Sequence, residues 1–174
     1  MPATAGPTTG PPNGAPTITR PVPSWPAAGA TRERRTQHHA FATMEPAPRH
    51  QARERALTLL YEAELKGEPP SEVLDALLME PDPFTATLVR TVESRGPEID
   101  GLVDAAAIGW DLGRMAVVDR NVLRLAVAEL LDCPDVPTAV ILNEAVELAS
   151  AYSTDDSGRF VNGVLATLAV QIRG

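Results

Sequence analysis

Residues 114–132 read Arg-Met-Ala-Val-Val-Asp-Arg-Asn-Val-Leu-Arg-Leu-Ala-Val-Ala-Glu-Leu-Leu-Asp. Wound as a helix, this stretch is apolar around most of its circumference, which suits the central helix of a bundle. Arg114, Arg120, Asn121 and Arg124 cluster on the remaining arc. Asp119 and Glu129 project into the apolar arc instead. Desolvating a carboxylate costs several kcal/mol, roughly, unless it is paired. Each is therefore salt-bridged, close to a surface rim, or facing a basic partner. Asp119 also lies in the first turn, where the helix dipole favours an anion.

The segments on either side carry helical punctuation. A first helix is predicted over 49–66, stopped by Gly67 with Pro69 and Pro70 behind it. Ser71 serves as N-cap of a short second helix through about Met79. A third starts near Pro83 and reaches Val103–Ile108, with Gly96-Pro97 kinking or splitting it. Pro134 and Pro137 end the central helix, and Pro137 fits the first turn of another over 138–152. Asp155, Asp156 or Ser157 caps a last helix over 157–172. No period-two run competes, so the fold class is all-α. In the first helix, Ala52, Ala56, Leu59, Leu60 and Ala63 form one stripe; Glu54, Leu57, Tyr61 and Leu65 form a second. A helix with two such stripes either sits deep in a bundle or offers one stripe to a partner. Gly163, beside Asn162, points to close helix packing, because glycine inside a helix costs roughly 1 kcal/mol relative to alanine. Asn143 and Asn162 are read as caps or bridges between helices, and Asn143, Glu147 and Ser150 share one polar face.

Residues 1–48 differ in kind. They hold ten of the 17 prolines and nothing periodic, so they are predicted to be a disordered, Pro-rich tail. Residues 1–43 are either a solvated tail or a stretch ahead of the true start at Met44, which opens MEPAPRHQARERAL. The domain proper is 49–174. Of the net charge of −8, residues 1–48 contribute about +2 and residues 49–174 about −10. An acidic body with one basic pole points to RNA at the pole and a basic protein elsewhere. Cys133 is the only cysteine, which excludes an internal disulfide or a cysteine metal cluster and suits a reducing cytoplasm. No apolar run is long enough to span a membrane and no secretory signal is visible, so the protein is expected to be cytoplasmic.

Catalytic chemistry is not signalled. There is no phosphate-cradling glycine loop, and His38, His39 and His50 all lie in or beside the tail, so a buried Ser-His-Asp or Cys-His pair is implausible. His38-His39 is a weak metal motif, and Asp155-Asp156 reads as a helix start rather than a chelate. No enzyme activity, cofactor or metal is expected. The basic pole is the strongest functional feature: Arg49, His50, Gln51, Arg53 and Arg55 open a helix, where cations oppose the dipole. Such a local conflict marks a functional surface more often than a stabilising one.

These residues resemble the NusB family. Arg49-His-Gln-Ala-Arg-Glu-Arg-Ala56 followed by Leu60-Tyr61 is similar to its arginine-rich first helix. Trp110 through Met115 and Val118 through Ala126 with Glu129-Leu-Leu131 are similar to its central motif. Val136-Pro137, Ile141 through Ala149, and Phe160-Val-Asn162-Gly163-Val-Leu165 complete the pattern in order over 49–174. The resemblance implies two packed three-helix bundles that bind the boxA element of ribosomal RNA leaders. It implies a heterodimer with NusE, a small-subunit ribosomal protein, within the RNA polymerase antitermination complex. On the family pattern, RNA contacts fall on Arg49, His50, Gln51 and Arg53, with Tyr61, Asp156, Arg159 and Phe160 near the same face. Asp119 and Tyr61 fall at the NusE interface. His50 and Gln51 depart from the pattern, since arginines are common there. Methyltransferases with a NusB-like domain need a further catalytic domain, for which the chain has no room. The competing reading is a homodimeric or scaffold protein that acts through protein contacts, its RNA face weak or covered.

Overall fold

The computed structural model describes residues 49–174, and the tail with its proposed start site lies outside the described residues. Among the described residues there are seven α-helices and no strand. The helices are α1 (Arg49–Lys66), α2 (Pro70–Asp75), α3 (Pro83–Ser94), α4 (Gly96–Ala106), α5 (Val117–Asp132), α6 (Thr138–Tyr152) and α7 (Ser157–Arg173). One bundle is α1 to α3; the other is α5 to α7; α4 packs on α5 and α7 and joins them.

The punctuation explains most of the boundaries. Gly67 takes a φ of +69°, the left-handed turn that glycine adopts without a Cβ penalty, and ends α1 where expected. Gly96-Pro97 splits the third helix rather than kinking it, because α3 ends at Ser94 and α4 starts at Gly96. Asp82 caps α3 by accepting from the backbone N–H of Phe84, 2.9 Å away. Two caps differ from expectation. Ser71 lies inside α2, which opens on Pro70 and stops at Asp75, and its N–H and hydroxyl bond the Glu93 carboxylate instead. Asp156 precedes α7 without a side-chain cap, and Ser157 accepts from Thr154 N–H at 3.2 Å.

The central helix α5 buries Val122, Leu123, Leu125, Ala126, Val127, Ala128 and Leu130 against both bundles. Each such aliphatic side chain contributes about 1.5–3 kcal/mol on full burial, valine to leucine, so the two bundles share one apolar core. The first stripe of α1 is wholly buried, whereas the second divides: Leu57 enters the core and Leu65 is exposed. Polar residues on the other arc of α5 form a seam with neighbouring helices. Arg120 pairs with Glu64, Asn121 donates to Glu64 at 3.1 Å, and Arg124 clasps Asp100 through two 2.7 Å bonds. Arg114 stands outside the helix, in a short 3₁₀ turn over Leu112–Arg114. At the other end, Arg173 donates to the carbonyls of Glu129, Leu130, Cys133 and Val136, closing the C-terminus of α5.

The close helix approach predicted at Gly163 is at Gly158 instead. A Cβ on Gly163 would meet open space, while one on Gly158 would collide with the Ser150 hydroxyl of α6. Asn143 and Asn162 are exposed. Asn143 bonds Glu147 of its own helix at 2.8 Å and bridges no helices through that bond.

Candidate nucleic-acid interface

Helices α1 and α5 run antiparallel, since Arg53 pairs with Glu129 at one end and Glu64 with Arg120 at the other. That arrangement separates the sequence-predicted site residues into two patches. Asp119 and Glu129 are ten residues apart on α5, which is about 15 Å along the axis. The first patch is the start of α1 and the second surrounds Asp119 and the start of α7. Tyr152, the last residue of α6, donates to Glu54 of α1 and ties the two regions together. That bond comes first among the causes that push the Tyr152 phenol up to about 12.

In the first patch, Arg49 and Gln51 are exposed. Arg49 reaches Asp135 at 2.7 Å, with its own side chain 51% exposed and that of Asp135 65% exposed. Such a solvated pair holds little energy and yields readily to another anion. Its guanidinium also lies 5.1 Å from the centre of the Phe84 ring. His50 donates from Nδ1 to the Glu144 carboxylate, Oε2 lying 2.8 Å away. That contact raises the imidazole above its usual value, with burial opposing it and the charges of Glu144, Glu54 and Glu147 adding to it.

Arg53 differs from expectation. Only 4% of it is exposed, and its Nε donates to Glu129 at 2.8 Å while a second nitrogen bonds the other carboxylate oxygen. Glu144 lies 3.4 Å from its remaining nitrogen. Burial lowers the guanidinium's affinity for its proton, but the bond and charge of Glu129 outweigh that and raise it. A side chain committed in this way ties the start of α1 to α5. Of the alternatives for Glu129, the salt bridge is therefore the one realised, and Arg53 and Glu129 explain each other.

In the second patch, Trp110, Met115, Ala116, Asp119, Thr154, Asp156, Ser157 and Phe160 line an open pocket of about 120 Å³. Trp110 and Phe160 face one another with ring centres 5.2 Å apart and planes inclined at 50°. Asp119 is 8% exposed, and its Oδ2 accepts from the Ser157 hydroxyl at 3.0 Å. Its Oδ1 is buried with no hydrogen-bond partner among the described residues. Asp156 and Arg159 are exposed at the start of α7, and Tyr61 is half-buried on α1. The sequence reading missed the role of Trp110, which is 57% exposed and lines the pocket against Phe160. The sequence offered only Gly109 beside it, which takes a φ of +83° as a glycine can in a turn.

The pattern found in these residues is that of a known family. The NusB family model matches residues 50–170. Over 124 residues the chain is 48% identical to transcription antitermination protein NusB of Thermobifida fusca (strain YX), spanning 69% of this chain and 87% of the relative. Over 127 residues it is 50% identical to the protein of the same name from Saccharopolyspora erythraea, spanning 70% of this chain and 86% of the relative. The fold is similar to T. maritima NusB, with a TM-score of 0.69, 33% identity, and coverage of 75% of this chain and 96% of that one. It is also similar to a chain in the crystal structure of antitermination factors NusB and NusE in complex with dsRNA. There the TM-score is 0.61 and the identity 30%, over 71% of this chain and 96% of that one. With the family model matching most of the chain and relatives about half identical, this chain belongs to the NusB family.

Proposed function

We propose that this chain is a transcription antitermination factor that binds boxA RNA of ribosomal RNA leaders together with NusE. The observation that carries the reading is Asp119. A buried carboxylate oxygen without a partner is costly, and its natural complement is a donor supplied from outside the chain. It opens into a pocket walled by Trp110 and Phe160 on a body whose described part is strongly acidic, which suits a basic protein. NusE stands with NusB and RNA in a solved complex that this fold resembles.

Arg49 and Gln51 offer donors to RNA phosphates at the other end of α1, and Arg159 adds a cation at the start of α7. His50 lies beside them, facing Glu144. Phe160 and Tyr61 provide rings on which unpaired bases stack, typically for about 1–3 kcal/mol per base. Asp156, exposed at the start of α7 and lining the pocket with Phe160, is assigned to the same RNA-facing set. Arg53 enters this proposal as the residue that holds α1 in place rather than as a phosphate contact. The test is a titration of boxA RNA and of a scrambled RNA of equal length, with and without NusE, at fixed salt. Tighter binding of boxA than of the scramble, enhanced by NusE, is expected. Equal affinity for both RNAs in the presence of NusE would favour the scaffold or homodimer reading.

A further inference from the structure

We propose that His50, Glu144 and Glu147 form a binding site for a divalent transition-metal ion of the zinc type. His50 comes from the first turn of α1, and the two glutamates lie one turn apart on α6. One ligand atom from each lies within 4.8 Å of the others. Zinc bonds to imidazole nitrogen and carboxylate oxygen are about 2.0–2.2 Å, which places ligand atoms at most roughly 4.3 Å apart. His50 Nδ1 and Glu144 Oε2 are already 2.8 Å apart, and Glu147 is the exposed member of the three. Imidazole with two carboxylates suits zinc and its neighbours better than magnesium or calcium, which take oxygen alone.

Features around the three ligands support the assignment. The second ring nitrogen of His50, Nε2, lies 3.9 Å from Glu54 Oε1. At that distance Glu54 makes no hydrogen bond to the ring but sets a negative charge behind it, which favours a cation on the other side. Glu54 is itself held by the Tyr152 hydroxyl. Asn143 Nδ2 donates to Glu147 Oε1 at 2.8 Å, which steadies that carboxylate and leaves its other oxygen available. The charge balance also favours a cation. Glu54, Glu144 and Glu147 all face His50, and against these three carboxylates stands Arg53, whose fork is bonded to Glu129 and whose remaining nitrogen lies 3.4 Å from Glu144 Oε2. His50 is 43% exposed and Glu144 18%, so an ion has an entry path and retains an open position. That position adjoins Arg49, so a bound ion would add positive charge beside the RNA track. This last consequence rests on the RNA reading, whereas the metal affinity does not.

Zinc alone, added to the chelator-stripped full chain, is the probe. His38→Ala with His39→Ala serves as the background, because that pair offers a separate imidazole site in the tail. In this background, equilibrium dialysis is expected to give one zinc per chain. His50→Gln and Glu147→Gln are each expected to weaken it at least about tenfold while helical circular dichroism is unchanged. Glu147 is exposed, so its variant keeps the test independent of folding. Absence of zinc uptake in the background, or uptake retained in either glutamine variant, would overturn the proposal. RNA binding measured separately with and without zinc reports on the RNA reading alone.

Discussion

A guanidinium and a carboxylate, Arg53 and Glu129, are 4% and 2% exposed and bonded to one another through two hydrogen bonds. Removing one member leaves the other charged and desolvated, which typically costs about 3–5 kcal/mol. Arg53→Ala is therefore expected to lower unfolding stability in urea by about that amount. A change below about 1 kcal/mol would mean that Glu129 finds water or another partner. Asp119 behaves in the opposite sense. Its charge is buried with one oxygen unpartnered, so Asp119→Asn is expected to leave stability unchanged or higher. The same variant should weaken NusE binding by at least tenfold, about 1.4 kcal/mol, because the external donor loses its anion. Equal affinity for NusE in a folded Asp119→Asn protein would remove this residue from the interface.

At the scale of the element, two helix features carry measurable energy. Arg173 satisfies carbonyls at the end of α5 with charged donors. Arg173→Ala is expected to cost roughly 1.5–3 kcal/mol, read from the shift in urea midpoint at constant slope. Gly163 lies in an exposed turn of α7 with open space where a Cβ would be, so Gly163→Ala should stabilise by about 0.5–1 kcal/mol. Helix boundaries were legible wherever glycine or proline set them: Gly67, Gly96-Pro97 and Pro137 all end or open helices as their chemistry requires. Caps were less legible. Ser71 and Asp156 have the right side chains, but Glu93 claims Ser71, and the Asp156 side chain makes no cap bond. Local preference and tertiary partner compete for the same hydroxyl, and only the fold decides. The burial of Arg53 was not legible for a related reason. A run of charge at a helix start looks solvated until the glutamate ten residues beyond Asp119, on another helix, is brought against it.

Among the described residues one apolar core joins two bundles, and the candidate site residues lie at the start of α1 and around the open pocket beside Asp119. The sequence named the residues of both patches but not their division, and the separation of about 15 Å follows from the antiparallel pairing of α1 and α5. No helix among the described residues is long and apolar enough to cross a membrane. Deleting residues 1–43 is expected to change unfolding stability by less than about 0.5 kcal/mol, since an aperiodic Pro-rich segment lacks apolar area to bury. A clear drop in melting temperature would show that the segment docks on the bundles. The central claim is that Arg49 meets RNA backbone while Phe160 meets bases. It is tested most directly by the salt dependence of boxA binding with NusE present, for wild type, Arg49→Ala and Phe160→Ala. Each phosphate contact contributes about 0.7–0.9 to the slope of log affinity against log salt. Arg49→Ala should therefore flatten the slope by up to about one unit, whereas Phe160→Ala should weaken binding at every salt concentration with the slope unchanged. Wild-type affinity and slope in Arg49→Ala would contradict the claim and leave the start of α1 as a solvated helix end.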